Sequence, residues 1–142
     1  MTLARMGVGH FHLADFDCFE LANFNRQQGA TLANLGRPKT EVLKEQILDI
    51  NPMARVTIFP EGISSATASA FLDSLEVVMD GLDAFAVASR RLLHQSCSER
   101  GIYAIASGPV GLTASLHVFG PGSMSFEDYF DFKSCHSFEE QM

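Results

Sequence analysis

The fold is most clearly encoded in residues 38–60, PKTEVLKEQILDINPMARVTIFP, where two hydrophobic patterns follow one another. Pro38 suits the first position of a helix, and apolar side chains then recur at helical spacing as far as Ile50. Residues 54–60 are rich in β-branched and aromatic side chains, which is typical of a strand. This stretch therefore predicts a helix that leads directly into a strand.

The same alternation continues on both sides of residues 38–60. It predicts strands at 10–16, 54–60, 76–83, 102–107 and 112–119, and helices at 64–75 and 84–100. Strands separated by helical stretches imply β–α–β crossovers, and strands that are apolar almost throughout fit a sheet covered on both faces. We therefore predict an α/β fold with a mostly parallel sheet and helices on both faces.

Composition limits the class of protein. The chain has 142 residues, which is typical of one domain, and a formal net charge of −7. The acidic balance argues against nonspecific binding to nucleic acid or to an anionic membrane, and no apolar run approaches the roughly 20 residues that span a bilayer. Cys18, Cys97 and Cys135 form no C-x-x-C pair, so we expect no structural zinc and a cytoplasmic protein with reduced thiols.

Residues 23–40, NFNRQQGATLANLGRPKT, form a cationic segment in this acidic chain. The segment contains Arg26, Arg37 and Lys39 and no acid. An ordinary solvated basic loop is one interpretation. Lys39, however, lies near the start of a predicted helix, where backbone N–H groups already favour anions and a cation opposes the helix dipole. This placement indicates an anion-binding site.

Two acids at strand ends are candidates for the same ligand. In dinucleotide-binding folds an acid in the position of Asp15 accepts hydrogen bonds from ribose hydroxyls, although a solvated loop acid would look the same in sequence. The stretch DGLDAF, residues 80–85, places Asp80 and Asp83 at a turn from strand to helix. Asp83 either caps that helix or holds Mg²⁺, which prefers oxygen ligands and substrate phosphates.

The glycines of MGVGH, residues 6–10, do not fit a phosphate-binding loop. Such a loop lies about 20 residues before the ribose acid, but only 14 residues precede Asp15. We predict that Gly7 and Gly9 form the turn between a short helix and the first strand.

Three stretches resemble one family over most of the chain, from residue 3 to about residue 130: GVGHFHLADFDCFELANFNRQQG, GRPKTEVLKEQILDINP and VVMDGLDAF. They are similar to the ThiF/MoeB/HesA adenylyltransferases and the related ubiquitin-activating enzymes, and N-x-N-R-Q followed by G-R-P-K-T is the most specific part. The resemblance implies a Rossmann-like fold, with residues 1–142 forming a single, partial ThiF-type nucleotide-binding domain. It also implies ATP-dependent activation of the C-terminal carboxylate of a ubiquitin-like or sulfur-carrier protein.

By matching position, the resemblance assigns a role to each candidate residue. Asp15 would bind the ribose hydroxyls, and Asn23 and Arg26 would line the nucleotide pocket. Arg26 and Lys39 would contact the phosphates, and Asp83 would position Mg²⁺, so that Arg26, Lys39 and Asp83 form the catalytic set. A carboxylate nucleophile is already ionised at neutral pH, so the reaction needs alignment and charge neutralisation rather than a general base.

The sequence also departs from this family. The strand and Gly-rich loop with which the family opens are lacking, and Ala84 stands where many members have Asn after the metal aspartate. We therefore expect impaired activity in this chain alone, and either a homodimer or another chain that supplies the missing strand. The alternative is a catalytically silent relative that acts as a protein-binding or dimerisation module. A nicotinamide-dependent oxidoreductase is disfavoured, because N-x-N-R-Q and G-R-P-K-T have no role in hydride transfer.

Overall fold

The computed structural model describes residues 1–132 of the chain. The strands are β1 (His10–Ala14), β2 (Arg55–Phe59), β3 (Val77–Asp80), β4 (Tyr103–Val110) and β5 (Thr113–Phe119). The helices are α1 (Thr2–Arg5), α2 (Lys39–Ile50), α3 (Ala68–Phe71), α4 (Val87–Arg100) and α5 (Phe126–Tyr129), and 3₁₀ turns lie at Leu21–Asn23 and Leu32–Asn34. The chain forms two compact units, Met1–Ile63 and Ser64–Met142.

The first unit is built around a β–α–β crossover. Strands β1 and β2 pair in parallel, beginning with His10 opposite Arg55, and α2 connects them. The apolar stripe of α2 faces inward, where Ile47 packs with Ala4 and Ala54. The helix-to-strand order predicted for residues 38–60 is confirmed.

The second unit repeats the crossover and adds a hairpin. Strand β3 pairs in parallel with β4, with Val77 opposite Tyr103, and α4 connects the two strands. Strand β4 then pairs antiparallel with β5, with Ala104 opposite Phe119. Helix α4 ends at Gly101, whose φ of 69° is the left-handed conformation that terminates many helices.

The turn predicted at Gly7 and Gly9 is confirmed. Helix α1 ends at Arg5, and Gly7 adopts a φ of 95° before β1 begins at His10. These glycines therefore belong to the connection between α1 and β1.

Helix α3 is much shorter than the helix predicted for residues 64–75. The Ser64 N–H donates to the Thr67 Oγ1 at 2.9 Å, and the Thr67 N–H donates to the Ser64 carbonyl at 3.1 Å. Short polar side chains of this kind offer the backbone a local alternative to a helix. The serine- and threonine-rich start therefore forms a turn, and the helix is confined to Ala68–Phe71.

Two predicted helix starts differ from the structure. Helix α4 begins at Val87 with Ala86 as its N-cap, so Asp83 does not cap it. Helix α2 begins at Lys39, and Pro38 is the residue immediately before it rather than its first residue.

The α/β class and the parallel pairing are confirmed, but within the described residues the strands lie in two sheets. Strands β1 and β2 form one sheet, and β3, β4 and β5 form the other in that order. Hydrophobic periodicity identifies a strand without specifying its partner, so periodicity alone could not reveal this division. As a result, β1 and β3 are both edge strands.

Across residues 1–132, no helix has both the length and the apolar character needed to cross a bilayer.

Candidate functional site

The cationic segment, residues 23–40, is closed at its base by backbone pairing. An antiparallel bridge joins Cys18 to Pro38, and the Phe19 N–H donates to the Arg37 carbonyl at 2.9 Å. The Phe19 side chain is buried, with 2% of its surface exposed. This closure brings the end of the segment back to the residues that follow β1.

Lys39 lies at this closure, as the first residue of α2. Its N–H donates to the Asp17 carbonyl at 3.0 Å, and its Nζ donates to the Asp17 Oδ2 at 2.8 Å. The Asp15 Oδ2 lies 3.8 Å from the same Nζ. Only 9% of the Lys39 side chain is exposed. An ammonium group is therefore held largely out of water by two carboxylates.

A local turn places both carboxylates beside Lys39. The Asp17 N–H donates to the Asp15 Oδ1 at 2.8 Å, which is the hydrogen bond of an Asx turn. Both acids follow the first strand in sequence, but only Asp15 was assigned a role in the site. The available signal was the spacing of the two acids, because a turn that begins at Asp15 returns Asp17 to the same side.

Asn23 and Arg26 lie together on the loop formed by the cationic segment. The buried Asn23 accepts a hydrogen bond at its Oδ1 from the Glu20 N–H at 2.9 Å, which holds the 3₁₀ turn Leu21–Asn23. The Arg26 Nη1 donates to the Ala22 carbonyl at 2.8 Å. Among residues 1–132 the Arg26 guanidinium has no carboxylate partner, so this exposed cation can approach an anion.

Arg37, the third cation of the segment, forms an ion pair with a carboxylate of the same unit. The Arg37 Nη2 donates to the Glu45 Oε1 of α2 at 2.6 Å, and this hydrogen bond raises the pKa of Arg37. Arg37 therefore fastens the segment to α2, and its charge is offset within the first unit.

Asp83 lies in the second unit, in the loop between β3 and α4. Its carbonyl accepts a hydrogen bond from the Ala86 N–H at 3.0 Å, and the residue is exposed. Within the part of the chain that the structure describes, its carboxylate has no hydrogen-bond or ion-pair partner. The described residues also contain no cluster of three or more His, Cys, Asp or Glu side chains suited to a metal ion. A single open carboxylate fits the way Mg²⁺ usually binds, with one or two carboxylates, waters and substrate phosphates.

Asp80, three residues before Asp83, has a buried carboxylate, whereas Asp83 is exposed. The Asp80 side chain is fully buried, and its Oδ2 accepts hydrogen bonds from the Arg90 Nε and the His94 Nε2, each at 2.9 Å. Burial alone would raise the pKa of Asp80, but the hydrogen bonds from His94, the Leu82 backbone and Arg90 outweigh it and lower the pKa. Asp80 is therefore an ionised structural carboxylate.

The two cysteines in the described residues differ in exposure. Cys97 is buried on α4, and burial raises its pKa to about 11. Cys18 is exposed. Cys135 lies outside the described residues.

The structure thus brings together Asp15 and Lys39, two of the five residues that the sequence identified, and adds Asp17 to them. Asn23 and Arg26 follow on the adjoining loop of the same unit. Asp83 belongs to the other unit.

Comparison with known proteins identifies the family of this chain. The ThiF family matches residues 1–140. The adenylyltransferase and sulfurtransferase MOCS3 of Drosophila willistoni is 41% identical over 95 residues, which cover 67% of this chain and 20% of MOCS3. The tRNA threonylcarbamoyladenosine dehydratase of Bacillus subtilis is 36% identical over 107 residues, which cover 75% of this chain and 41% of the dehydratase. The chain therefore spans less than half the length of these relatives.

A solved structure shows the same fold. The E. coli tRNA N6-threonylcarbamoyladenosine dehydratase TcdA, in complex with ATP, has a TM-score of 0.71 and 31% sequence identity. The likeness covers 79% of this chain and 46% of TcdA. The predicted Rossmann-like fold is confirmed, and, with the family match over nearly its whole length, this chain belongs to the ThiF family.

Proposed function

We propose that this chain binds ATP and serves in the adenylylation of a carboxylate. The proposed substrate is the carboxylate of the C-terminal glycine of a ubiquitin-like or sulfur-carrier protein. The observation that carries the proposal is the buried Lys39 ammonium beside Asp15 and Asp17. A cation in this position costs stability unless it is paired, and it opposes the dipole of α2. Phosphate binding supplies a reason for keeping a lysine there.

In the proposed complex, Lys39 exchanges one partner for another. In the structure its ammonium is held by Asp17, at 2.8 Å. When ATP binds, a phosphate oxygen takes the place of the Asp17 carboxylate, while Asp15 accepts hydrogen bonds from the ribose. Arg26 adds a second cation, because its guanidinium has no carboxylate partner among the described residues.

Mg²⁺ is the proposed metal cofactor, held by Asp83 together with phosphate oxygens. When bound, it would neutralise charge on the phosphates. This role suits an exposed carboxylate that makes no other hydrogen bond or ion pair within residues 1–132. Asp80 cannot take the role, because its oxygens are occupied by Arg90, His94 and Leu82.

The reaction requires no general base from this chain. The substrate carboxylate oxygen attacks the α-phosphorus, the bond to the β-phosphate oxygen breaks, and pyrophosphate leaves with the electron pair. The substrate carboxylate is ionised at neutral pH. The residues of this chain therefore act by positioning the triphosphate and offsetting its negative charge.

ATP–pyrophosphate exchange tests the proposal. Because impaired activity is expected of this chain alone, the assay combines a high concentration of the chain with labelled pyrophosphate, MgATP and a ubiquitin-like or sulfur-carrier protein that has a free C-terminal glycine. We expect exchange to fall about 100-fold or more in Lys39→Ala and Asp83→Ala, the effect of removing one electrostatic contact to a reacting phosphate. Lys44→Ala, the same substitution elsewhere on α2, is the control and should leave exchange unchanged. Equal rates in all four proteins would contradict the proposal.

The second candidate is a protein-binding or dimerisation module without activity. Edge strands β1 and β3 favour it, because each presents an unpaired edge within the described residues that another polypeptide can extend. We propose that a second copy or another chain pairs there, which is compatible with either function. Light scattering coupled to size-exclusion chromatography should show a dimer or a larger complex, whereas a monomer at high concentration would count against this pairing. Binding without ATP-dependent exchange would favour the silent module.

A further inference from the structure

A buried ionic network in the second unit has no part in the proposed reaction. Asp80 ends β3 with its side chain fully buried, and the His94 side chain beside it is 1% exposed. Arg90, one turn before His94 on α4, completes the network. Burying charged groups is costly unless each one is paired.

The two carboxylate oxygens of Asp80 face different parts of the unit. Oδ2 accepts from the Arg90 Nε and the His94 Nε2, both on α4. Since an ionised carboxylate can only accept, His94 donates its Nε2 proton here. Oδ1 accepts instead from the Leu82 N–H at 3.0 Å. One side chain thus links α4 to the backbone immediately before Asp83.

The backbone that follows Asp80 also carries a hydrogen bond from the Ala86 N–H to the Asp83 carbonyl, at 3.0 Å. Gly81 separates Asp80 from Leu82, and a Cβ placed on Gly81 would meet nothing within 4 Å. A glycine in open space leaves many backbone conformations accessible. The Asx-type hydrogen bond from Leu82 to Asp80 restricts these conformations directly after Gly81.

The helix side of the network is held by aromatic packing. The His94 ring stacks on Phe126 of α5 at a centroid distance of 4.1 Å and meets Phe119 of β5 edge-on at 5.2 Å. The Arg90 guanidinium lies 5.5 Å from the Phe126 centroid. Both donors to Asp80 are thus fixed by the elements that follow α4.

We propose that Asp80, held by Arg90 and His94, is a positioning residue that fixes the turn at Leu82 and so orients the Asp83 carboxylate toward its metal ion. The metal contact rests on the proposed function, whereas the fixed turn does not. His94 and Arg90 act through Asp80.

Two substitutions at His94 test this role while sparing Asp80 and Asp83. His94→Leu removes the donor to Asp80, and His94→Gln keeps an N–H donor of similar reach. Amide hydrogen exchange by NMR should show Leu82 exchanging about tenfold faster in His94→Leu, the factor expected for a weakened hydrogen bond to a charged group, with recovery in His94→Gln. Three-bond couplings should show the Asp83 side chain averaging over rotamers in His94→Leu only.

A substitution on the same helix controls for general destabilisation. Arg91 donates to both carboxylate oxygens of Glu127 on α5, each at 2.7 Å, whereas Asp80 accepts from Arg90 and His94. Arg91→Gln should therefore leave both Leu82 exchange and the Asp83 couplings unchanged. If His94→Leu does not fold, Asp80→Asn serves as the second variant, with the same expected acceleration at Leu82.

Binding of MnCl₂ in the presence of ATP separates this inference from the proposed function. Line broadening at Asp83 should require more MnCl₂ in His94→Leu than in the wild type, and Asp83→Ala should abolish it without altering Leu82 exchange. Absence of broadening in the wild type would refute the metal role of Asp83, and the fixed turn would then be judged by the exchange and coupling data. Leu82 exchange and Asp83 couplings that stay at wild-type values in both His94→Leu and Asp80→Asn would overturn the inference.

Discussion

At the scale of single residues, the central feature of the first unit is the ion pairing of one buried ammonium group. Lys39 is largely buried and lies 2.8 Å from one carboxylate and 3.8 Å from another. The closer partner, Asp17, has 52% of its side chain exposed, so the pair is partly screened by water. A phosphate group can therefore compete with Asp17 for the same ammonium.

Replacing Asp17 should separate stability from nucleotide affinity. We expect Asp17→Asn to lower the free energy of unfolding by about 1 kcal/mol, because Lys39 loses its nearest counter-charge. ATP affinity should rise about fivefold in the same variant, because a competing anion has been removed. Urea denaturation and calorimetric titration with MgATP measure the two effects. Asp49→Asn changes the net charge equally at an exposed site on α2 and is the control; a fall in ATP affinity specific to Asp17→Asn would contradict the exchange of partners.

The buried carboxylate of the second unit should make stability depend on pH. Because the pKa of Asp80 is lower in the folded chain than its ordinary value of 3.8, the ionised group stabilises the fold above that value. This contribution is lost as the pH falls through the folded-state pKa. We therefore expect the stability gap between wild type and Asp80→Asn to be large at pH 7 and to shrink at pH 3, measured as urea midpoints. A gap that is equally large at both pH values would show that charge is not the cause.

At the scale of elements, the closure of the cationic segment depends on close packing at one glycine. Gly29 has a φ of 106°, and a Cβ placed there would lie 3.0 Å from the Cζ of the buried Phe19. Gly36, in the same segment, also has a positive φ, 76°, but a Cβ there would meet nothing within 4 Å. The two glycines therefore share a backbone requirement and differ in crowding.

Substituting alanine at each glycine isolates the packing contribution. Both variants should be destabilised by about 1 kcal/mol, because alanine is strained in the left-handed conformation. Gly29→Ala should lose about 1 kcal/mol more, because the added methyl group displaces Phe19. Urea midpoints give the comparison. Equal losses of stability in the two variants would mean that the Phe19 side chain moves aside without destabilising the fold.

Local patterns predicted the elements better than their contacts. The helical spacing of α2 and the end of α4 at Gly101 were visible in sequence, because both depend on neighbouring residues. The division of the strands into two sheets does not follow from hydrophobic periodicity, because pairing joins residues far apart in the chain. Asp17 also follows the first strand in sequence, but only the closure at Pro38 shows that it lies beside Lys39.

At the scale of the whole molecule, the candidate residues are shared between two units. Asp15, Asn23, Arg26 and Lys39 lie in the first unit, and Asp83 lies in the second. The family resemblance assigned all five to one ligand, and the structure brings Lys39 within 3.8 Å of Asp15 in the first unit. The proposed function therefore assigns the nucleotide contacts to residues of the first unit and the metal contact to a residue of the second.

An NMR titration of the ¹⁵N-labelled chain with ATP and MgCl₂ tests the central claim, that the buried Lys39 ammonium binds nucleotide, most directly. We expect the amide signals of Asp15, Arg26 and Lys39 to shift together and to saturate with the same dissociation constant, and Lys39→Ala to weaken these responses. No saturable shift at these residues, or shifts that Lys39→Ala leaves unchanged, would contradict the account.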